Sequence, residues 1–80
     1  MKISKNPKIS LVIPGYNEEA NIEETVQKCL ATLNTITEQY EVIIVDDGSR
    51  DEMGKIADRL QTEYSSVRVI HNPINMGMKG

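Results

Sequence analysis

Three short stretches of the chain are rich in branched aliphatic residues, and this composition predicts three strands. They cover residues 9–13, 42–45 and 67–70. Each stretch is followed by residues that break strands, namely a Pro-Gly pair, an Asp-Asp-Gly-Ser sequence and an Asn-Pro pair. The second stretch is apolar at every position rather than at alternate positions, so we expect both of its faces to be covered.

Between these stretches, apolar residues recur at intervals of three and four, which predicts two amphipathic helices. The apolar face of the first helix comprises Ile22, Val26, Cys29, Leu30 and Leu33. The apolar face of the second comprises Met53, Ile56, Ala57, Leu60 and Tyr64. Two pairs with the spacing of a capping box, Asn21 with Glu24 and Ser49 with Glu52, predict where the helices begin. The polar residues 34–39 end the first helix.

The alternation of strands and helices predicts half of a doubly wound α/β sheet. Strands separated by helices run parallel, and right-handed crossovers place both helices on one face if the strands lie in the order 3-2-1. The other face would then present an open apolar patch on the order of several hundred Å². We therefore expect these residues to belong to a longer fold or to self-associate through the uncovered face.

Charge and hydropathy exclude several classes of protein. Nine Lys and Arg residues against twelve Asp and Glu give a net charge of -3, so there is no basic excess to bind a nucleic acid. No apolar run is longer than residues 42–45, whereas a membrane span needs about 20 residues. Residues 1–8 form a polar tail without the apolar segment of a secretory signal. The single cysteine, Cys29, cannot form an internal disulfide, and we expect a cytoplasmic protein.

The loops that follow the strands carry the candidate site residues, because ligands of open parallel sheets bind at the carboxyl ends of the strands. Tyr16 lies in the first loop, where its ring could stack on a planar base with roughly 1–3 kcal/mol, or could fill the gap between strand and helix. Asp46 directly follows the second strand. Its carboxylate could accept a hydrogen bond from a base or a ribose, or from backbone amides of its own turn.

The neighbouring acidic residues divide between two roles. We expect Asp46 and Asp47 to point to different sides, one toward a ligand and the other in a structural role. Glu18 is favoured as a site residue because it lies close to Tyr16 in sequence. Glu19 is equally well explained by the preference for negative charge at the start of a helix.

The first loop lacks both glycine-rich phosphate-binding patterns, G-x-G-x-x-G and G-x-x-x-x-G-K-[ST]. Its acidic residues would repel a diphosphate unless a divalent cation intervenes. The ligand that fits best is a nucleotide-sugar with its diphosphate on Mg²⁺ or Mn²⁺, held by acids elsewhere in the fold.

Cys29 is expected to pack in the core. His71 has no carboxylate near it in sequence and is interpreted as a strand-end residue.

Three ordered motifs resemble the start of the family 2 glycosyltransferases. They are ISLVIPGYNEEANI at residues 9–22, YEVIIVDDGSRD at residues 40–51 and VRVIHNPINMGMKG at residues 67–80. Within that family they are most similar to the polyprenyl-phosphate sugar synthases, such as the dolichyl-phosphate mannose synthases. The resemblance implies a three-layer, Rossmann-like GT-A fold, of which residues 9–80 would be the N-terminal βαβαβ portion, with parallel strands.

The resemblance also implies a function and a set of site residues. The implied activity is sugar transfer from a UDP- or GDP-sugar to an acceptor such as a polyprenyl phosphate or a polysaccharide, and Pro14, Tyr16, Glu18 and Asp46 would line the nucleoside pocket. Gly15 stands where the family usually has Ala, Thr or Ser, which should loosen the loop. The family's metal-binding D-x-D motif and its catalytic base come later. We therefore expect no catalytic or metal-binding residue in this chain, Mg²⁺ or Mn²⁺ in the complete enzyme, and no activity of the chain by itself.

Two alternatives remain open. The chain is either the nucleotide-sugar-binding half of a glycosyltransferase domain, truncated at its C-terminal end, or an inactive remnant of one. A response-regulator domain also has a strand followed by Asp-Asp, but its acid pair and its phosphoacceptor follow the first and third strands. Here those places hold Pro-Gly and His-Asn. The resemblance further leaves open an association of the full-length protein with the cytoplasmic face of a membrane.

Overall fold

A computed structural model describes residues 8–73, which form a three-stranded sheet and two helices. The elements, in chain order, are β1 (Ile9–Gly15), α1 (Ile22–Ile36), β2 (Tyr40–Asp47), α2 (Met53–Glu63) and β3 (Val67–Asn72). The predicted βαβαβ order is therefore confirmed. Each strand extends beyond the carboxyl end of its predicted stretch. The predicted polar tail, except its last residue, and the end of the third motif at residues 74–80 lie outside the described residues.

The strands lie in the order β1-β2-β3, and both pairs are parallel. The predicted order and direction are confirmed. Pro14 is tolerated inside β1 because β1 forms an edge of the described sheet, where a missing amide donor removes no ladder bond. The register pairs Gly15 with Asp46 and Asp46 with His71, which brings the ends of all three strands to one edge.

The hydrophobic core lies on one face of the sheet, beneath both helices. Its centre is the inward row of β2, where Val42 and Ile44 are completely buried. The other buried apolar residues are Ile22, Val26, Leu33, Met53, Ala57, Leu60 and Val67. Cys29 packs against this cluster, as predicted. Burying each such aliphatic side chain contributes about 1.5–3 kcal/mol, so this layer is the main source of stability.

The helix starts differ from the capping boxes that the sequence predicts. Asn21 precedes α1 but makes no side-chain capping bond, because its backbone (φ -121°, ψ -17°) is not in the extended conformation of a usual N-cap. α2 begins only at Met53, so Ser49 is too far away to cap it. Asp51 takes the place of Ser49 as the side chain that binds the first amide of α2, because Asp51 Oδ1 accepts the Met53 N–H at 2.9 Å. The predicted start of α1 after Asn21 is thus confirmed, whereas its capping bond and the capping box at Ser49 are wrong.

The second face of the described sheet is uncovered. Val12 and Ile70 are 52% and 48% exposed, and Ile43 and Val45 are half-buried between them. The prediction of an open apolar face is confirmed for residues 8–73. The expectation that both faces of β2 are covered is wrong within this part of the chain, because both helices lie on the other side. What covers the open face stays a prediction.

Neither described helix is long and apolar enough to cross a membrane.

The two faces predict different responses to the same substitution. Ile44→Ala removes side-chain atoms from a fully buried position and should lower the free energy of unfolding by roughly 2–5 kcal/mol. Ile70→Ala, on the open face, should lower it by no more than about 1 kcal/mol. Urea unfolding of the 80-residue chain, followed by circular dichroism, measures both. Equal losses would contradict a one-sided core.

Candidate functional site

The β1–α1 loop (residues 16–21) and the β2–α2 loop (residues 48–52) are joined by hydrogen bonds, which we call the loop contact. Asn17 is its centre. The Asn17 N–H donates to Ser49 Oγ at 2.9 Å, and Asn17 Oδ1 accepts the backbone N–H groups of Arg50 at 2.8 Å and Asp51 at 3.3 Å. Asn17 has a positive φ of 55°, which asparagine tolerates better than most residues.

Glu19 and Asp51 extend the loop contact by exchanging bonds with each other's loops. Glu19 N–H donates to Asp51 Oδ2 at 3.0 Å, and Glu19 Oε1 accepts the Glu52 N–H at 2.8 Å. The carboxylate of Glu19 in the first loop therefore binds the backbone amide that directly precedes α2. The structural interpretation of Glu19 is supported, although its partners belong to the β2–α2 loop rather than to the helix that follows Glu19.

Asp46 lies at the carboxyl end of β2 with only 6% of its surface exposed. Its Oδ1 accepts the Ser49 N–H at 3.0 Å, and its Oδ2 lies 2.9 Å from His71 Nδ1. Burial by itself raises the pKa of Asp46, but the hydrogen bonds from Ser49 and His71 outweigh it and hold that pKa below the usual value. Asp46 is therefore an oriented, ionised carboxylate. The strand pleat turns it toward the helices and Asp47 to the opposite face, so the predicted divergence of the two side chains is confirmed.

His71 binds two carboxylates, which sequence spacing did not indicate. In addition to Asp46, its Nε2 lies 2.8 Å from Oδ1 of Asp58 on α2. The hydrogen bond to Asp58, which has the larger effect, and the hydrogen bond to Asp46 raise the pKa of His71 above its ordinary value. The interpretation of His71 as a strand-end residue is confirmed, and two acids that are distant in sequence lie beside it in space. The contact with Asp46 could have been predicted from a parallel alignment of β2 and β3, because His71 is the β3 neighbour of Asp46.

Two glycines make room for these side chains. A Cβ on Gly54 would stand 3.0 Å from Asp46 Oδ2, so the missing side chain lets α2 approach the carboxylate closely. A Cβ on Gly15 would stand 2.6 Å from the terminal methyl of Met53. Gly15 belongs to β1 itself, and Met53 occupies the space that the usual, larger residue would fill. The structure thus gives Gly15 a packing role rather than a loosening one.

Pro14 and Glu18, two of the predicted site residues, line one hollow of about 160 Å³ at the start of α1. The rest of its lining is Ile13, Gly15, Asn21, Ile22 and Thr25. Tyr16, 40% exposed, directly follows the β1 residue that pairs with Asp46. Neither Tyr16 nor Asp46 belongs to the lining of this hollow. The structure therefore brings the four residues to one edge of the sheet, and their contact with a single ligand stays a prediction.

A larger hollow, of about 480 Å³, lies at the opposite edge of the sheet. It is bordered by residues from the end of α1, the start of β2 and the turn after α2. None of the predicted site residues borders it. We place the candidate site at the carboxyl edge because the buried carboxylate, the histidine and the loop contact all lie there.

Residues 8–73 contain no cluster of three or more His, Cys, Asp or Glu side chains arranged to hold a metal ion. The acids at the carboxyl edge instead accept hydrogen bonds from backbone amides and from His71. No part of the chemistry is therefore assigned to a metal on these residues. The expected Mg²⁺ or Mn²⁺ of the complete enzyme stays a prediction.

These features define a Rossmann-like α/β sheet whose polar side chains gather at the carboxyl edge, where its strands end. Comparison with known proteins identifies the family: the profile of glycosyl transferase family 2 matches residues 10–80. The chain belongs to this family, as its motifs predict. Family membership favours the glycosyltransferase hypothesis over a response-regulator domain.

Several curated proteins are similar to the chain. Glycosyltransferase AglD of Haloferax volcanii is 39% identical over 74 residues, which cover 90% of this chain and 12% of AglD. The undecaprenyl-phosphate 4-deoxy-4-formamido-L-arabinose transferase of Shewanella sediminis is 40% identical over 72% of this chain and 18% of its own length. Human dolichyl-phosphate beta-glucosyltransferase is 37% identical over 96% of this chain and 26% of its own length. The chain thus spans about a quarter or less of these relatives.

The loop contact predicts a difference between two substitutions of Asn17. Asn17→Ala removes the acceptor for two amides and places alanine at a positive φ, so it should lower the free energy of unfolding by about 1–2 kcal/mol. Asn17→Asp keeps both the acceptor and the tolerance of positive φ, and should stay within about 0.5 kcal/mol of the original chain. Urea unfolding measures both. The loop contact contributes nothing to stability if the two variants are equally stable.

The raised pKa of His71 predicts how stability depends on pH. The stabilisation is fully present below the ordinary value of 6.5 and is lost as the pH rises through the higher folded value. The free energy of unfolding should therefore fall across this alkaline window. His71→Asn should abolish this dependence, which urea titrations at several pH values would detect. An unchanged dependence in the variant would assign it to another group.

Proposed function

We propose that this chain binds the nucleoside of a UDP- or GDP-sugar in a glycosyltransferase that transfers the sugar to a polyprenyl phosphate or a polysaccharide. Family membership supports the reaction class. The names of two relatives, dolichyl-phosphate beta-glucosyltransferase and undecaprenyl-phosphate 4-deoxy-4-formamido-L-arabinose transferase, support a polyprenyl-phosphate acceptor over a polysaccharide. The nucleotide-sugar follows from the resemblance of the loop motifs.

The observation that carries the proposal is the state of Asp46. This carboxylate lies at the carboxyl edge of the sheet, is almost completely buried, and is held ionised by hydrogen bonds from Ser49 and His71. Each carboxylate oxygen has a second lone pair. In the proposed complex these acceptors receive an N–H of the base or a hydroxyl of the ribose.

The β1–α1 loop supplies the other proposed contacts. The exposed ring of Tyr16 is free to lie against the base, and Pro14 and Glu18 border the adjacent hollow. The loop contact joins this segment to the turn that follows Asp46. A loop fixed in this way loses less conformational entropy when it binds a ligand, which favours affinity.

The other parts of the proposed reaction belong to residues beyond this chain. We propose that acids of the complete protein hold a divalent cation on the donor diphosphate and that the acceptor binds beside it. The described residues bind and orient the nucleoside, and we assign none of them as a catalytic base. A cytoplasmic location, at the membrane face where a polyprenyl phosphate is anchored, is part of the same proposal.

Titration with UDP and with GDP tests the proposal in the full-length protein. Asp46→Asn should weaken binding of the preferred nucleotide by about tenfold, since a hydrogen bond to a charged group contributes on the order of 1.5–3 kcal/mol. Tyr16→Ala should weaken it by a similar factor, because base stacking on an aromatic ring contributes about 1–3 kcal/mol. Isothermal titration calorimetry gives each affinity.

Matched variants separate these effects from general damage. Tyr16→Phe retains the ring and should keep nearly the original affinity. Glu24→Gln changes an exposed acid of α1 that pairs only with Lys28 among the residues described, and should have no effect. The proposal is wrong if neither nucleotide binds, or if binding is indifferent to both Asp46→Asn and Tyr16→Ala.

A further inference from the structure

Three side chains from three elements form a continuous hydrogen-bonded series at the carboxyl edge. Asp58 of α2 contacts His71 of β3 at 2.8 Å, and His71 contacts Asp46 of β2 at 2.9 Å. The two outer groups are both carboxylates, but they differ in surroundings: the Asp46 side chain is 8% exposed and that of Asp58 is 60% exposed. The series therefore connects a buried carboxylate to one at the surface.

The geometry requires a particular protonation state of the imidazole ring. A neutral imidazole has one N–H, so it donates to one carboxylate and turns a lone pair toward the other. At separations of 2.8 and 2.9 Å that second contact is repulsive. The doubly protonated ring donates to both. The arrangement is thus complete only with His71 as a cation.

We propose that His71 is a positioning residue for donor binding: as an imidazolium held by Asp58, it fixes the Asp46 carboxylate in the orientation that receives the nucleoside. This inference rests on the proposed function of Asp46. Asp58 holds the ring in place and does not touch the ligand. Ser49 fixes the other oxygen of Asp46, so both partners together determine the plane of the carboxylate.

A purely structural role explains these contacts less well. The contact between His71 and Asp58 lies at the surface, since the two side chains are 44% and 60% exposed, and an exposed ion pair contributes at most about 1 kcal/mol to stability. α2 is held to the sheet by its buried apolar residues Met53, Ala57 and Leu60. Gly54 also stands where any side chain would crowd Asp46 and the ring.

The proposal makes nucleotide affinity dependent on pH. Among residues 8–73, the charged groups that face the ring are Asp46 from β2 and Asp58 from α2. The nearby cations of α2 are paired elsewhere, Arg59 with Glu23 and Glu63, and Lys55 with Glu52. When the pH rises and the ring loses a proton, its remaining N–H is shared between two carboxylates. Asp46 is then less well oriented, so affinity falls as His71 deprotonates.

Calorimetric titrations of the full-length protein with UDP and with GDP, at several values from about pH 6 to about pH 9, test the inference around the titration range of histidine. The original protein should lose about three- to tenfold in affinity across this range, as expected when a charge-assisted hydrogen bond is weakened. Asp58→Asn should bind normally at the acid end, and its loss of affinity should begin about one pH unit lower.

Two further variants complete the set. His71→Asn places an amide nitrogen near the position of Nδ1, so it keeps a donor for Asp46 without a titrating group, and its affinity should not change with pH. Glu63→Gln is the matched control, because Glu63 is an exposed acid of the same helix that pairs with Arg59 instead. It should retain the original pH profile.

The outcomes distinguish the inference from the function on which it rests. If Asp46→Asn weakens binding but the pH profile is the same in the original protein, His71→Asn and Asp58→Asn, the role of His71 is refuted and the nucleoside site stands. If Asp46→Asn has no effect on binding, or if neither nucleotide binds, both are refuted. If Asp58→Asn alone moves the profile to lower pH and Glu63→Gln does not, the positioning role is supported.

Discussion

The parallel register of the three strands is the constraint on which the rest of this structure depends. It sets Gly15 beside Asp46 and Asp46 beside His71, so residues far apart in the chain end at one edge of the sheet. A shift of one residue would turn Asp46 to the open face and move Ile44 out of the core. Core packing and site geometry are thus determined together.

The polar edge is ordered by hydrogen bonds between the two loops as well as by local bonds within them. Asn17 and Glu19 bind amides of the β2–α2 loop, and Asp46 is held from its own turn and from β3. Glu19 accepts the Glu52 N–H and Asp51 accepts the Met53 N–H, so two amides at the start of α2 have side-chain partners although the N-cap residue Glu52 makes no side-chain capping bond. Helix capping and site construction therefore use the same side chains.

The open face shows the other consequence of this topology. Two right-handed crossovers in one direction place both helices on the same side, and Val12 and Ile70 remain half-exposed on the other. Parallel sheets are usually covered on both faces. The family relatives, of which this chain spans about a quarter or less, are long enough to supply a second covering layer.

The sequence by itself determined the order of elements, the strand direction, the core faces of both helices and the family, because these depend on local periodicity and on short motifs. It also pointed to Asp46 as the acid at the end of the central strand. Only the tertiary structure decided that Ser49 does not cap α2, that Met53 fills the space beside Gly15, and that His71 lies between two carboxylates. Those contacts join residues 13 to 38 positions apart, or replace a local bond with a distant one. No pattern of neighbouring residues encodes them, since the sheet register and the packing of α2 on the sheet bring these residues together.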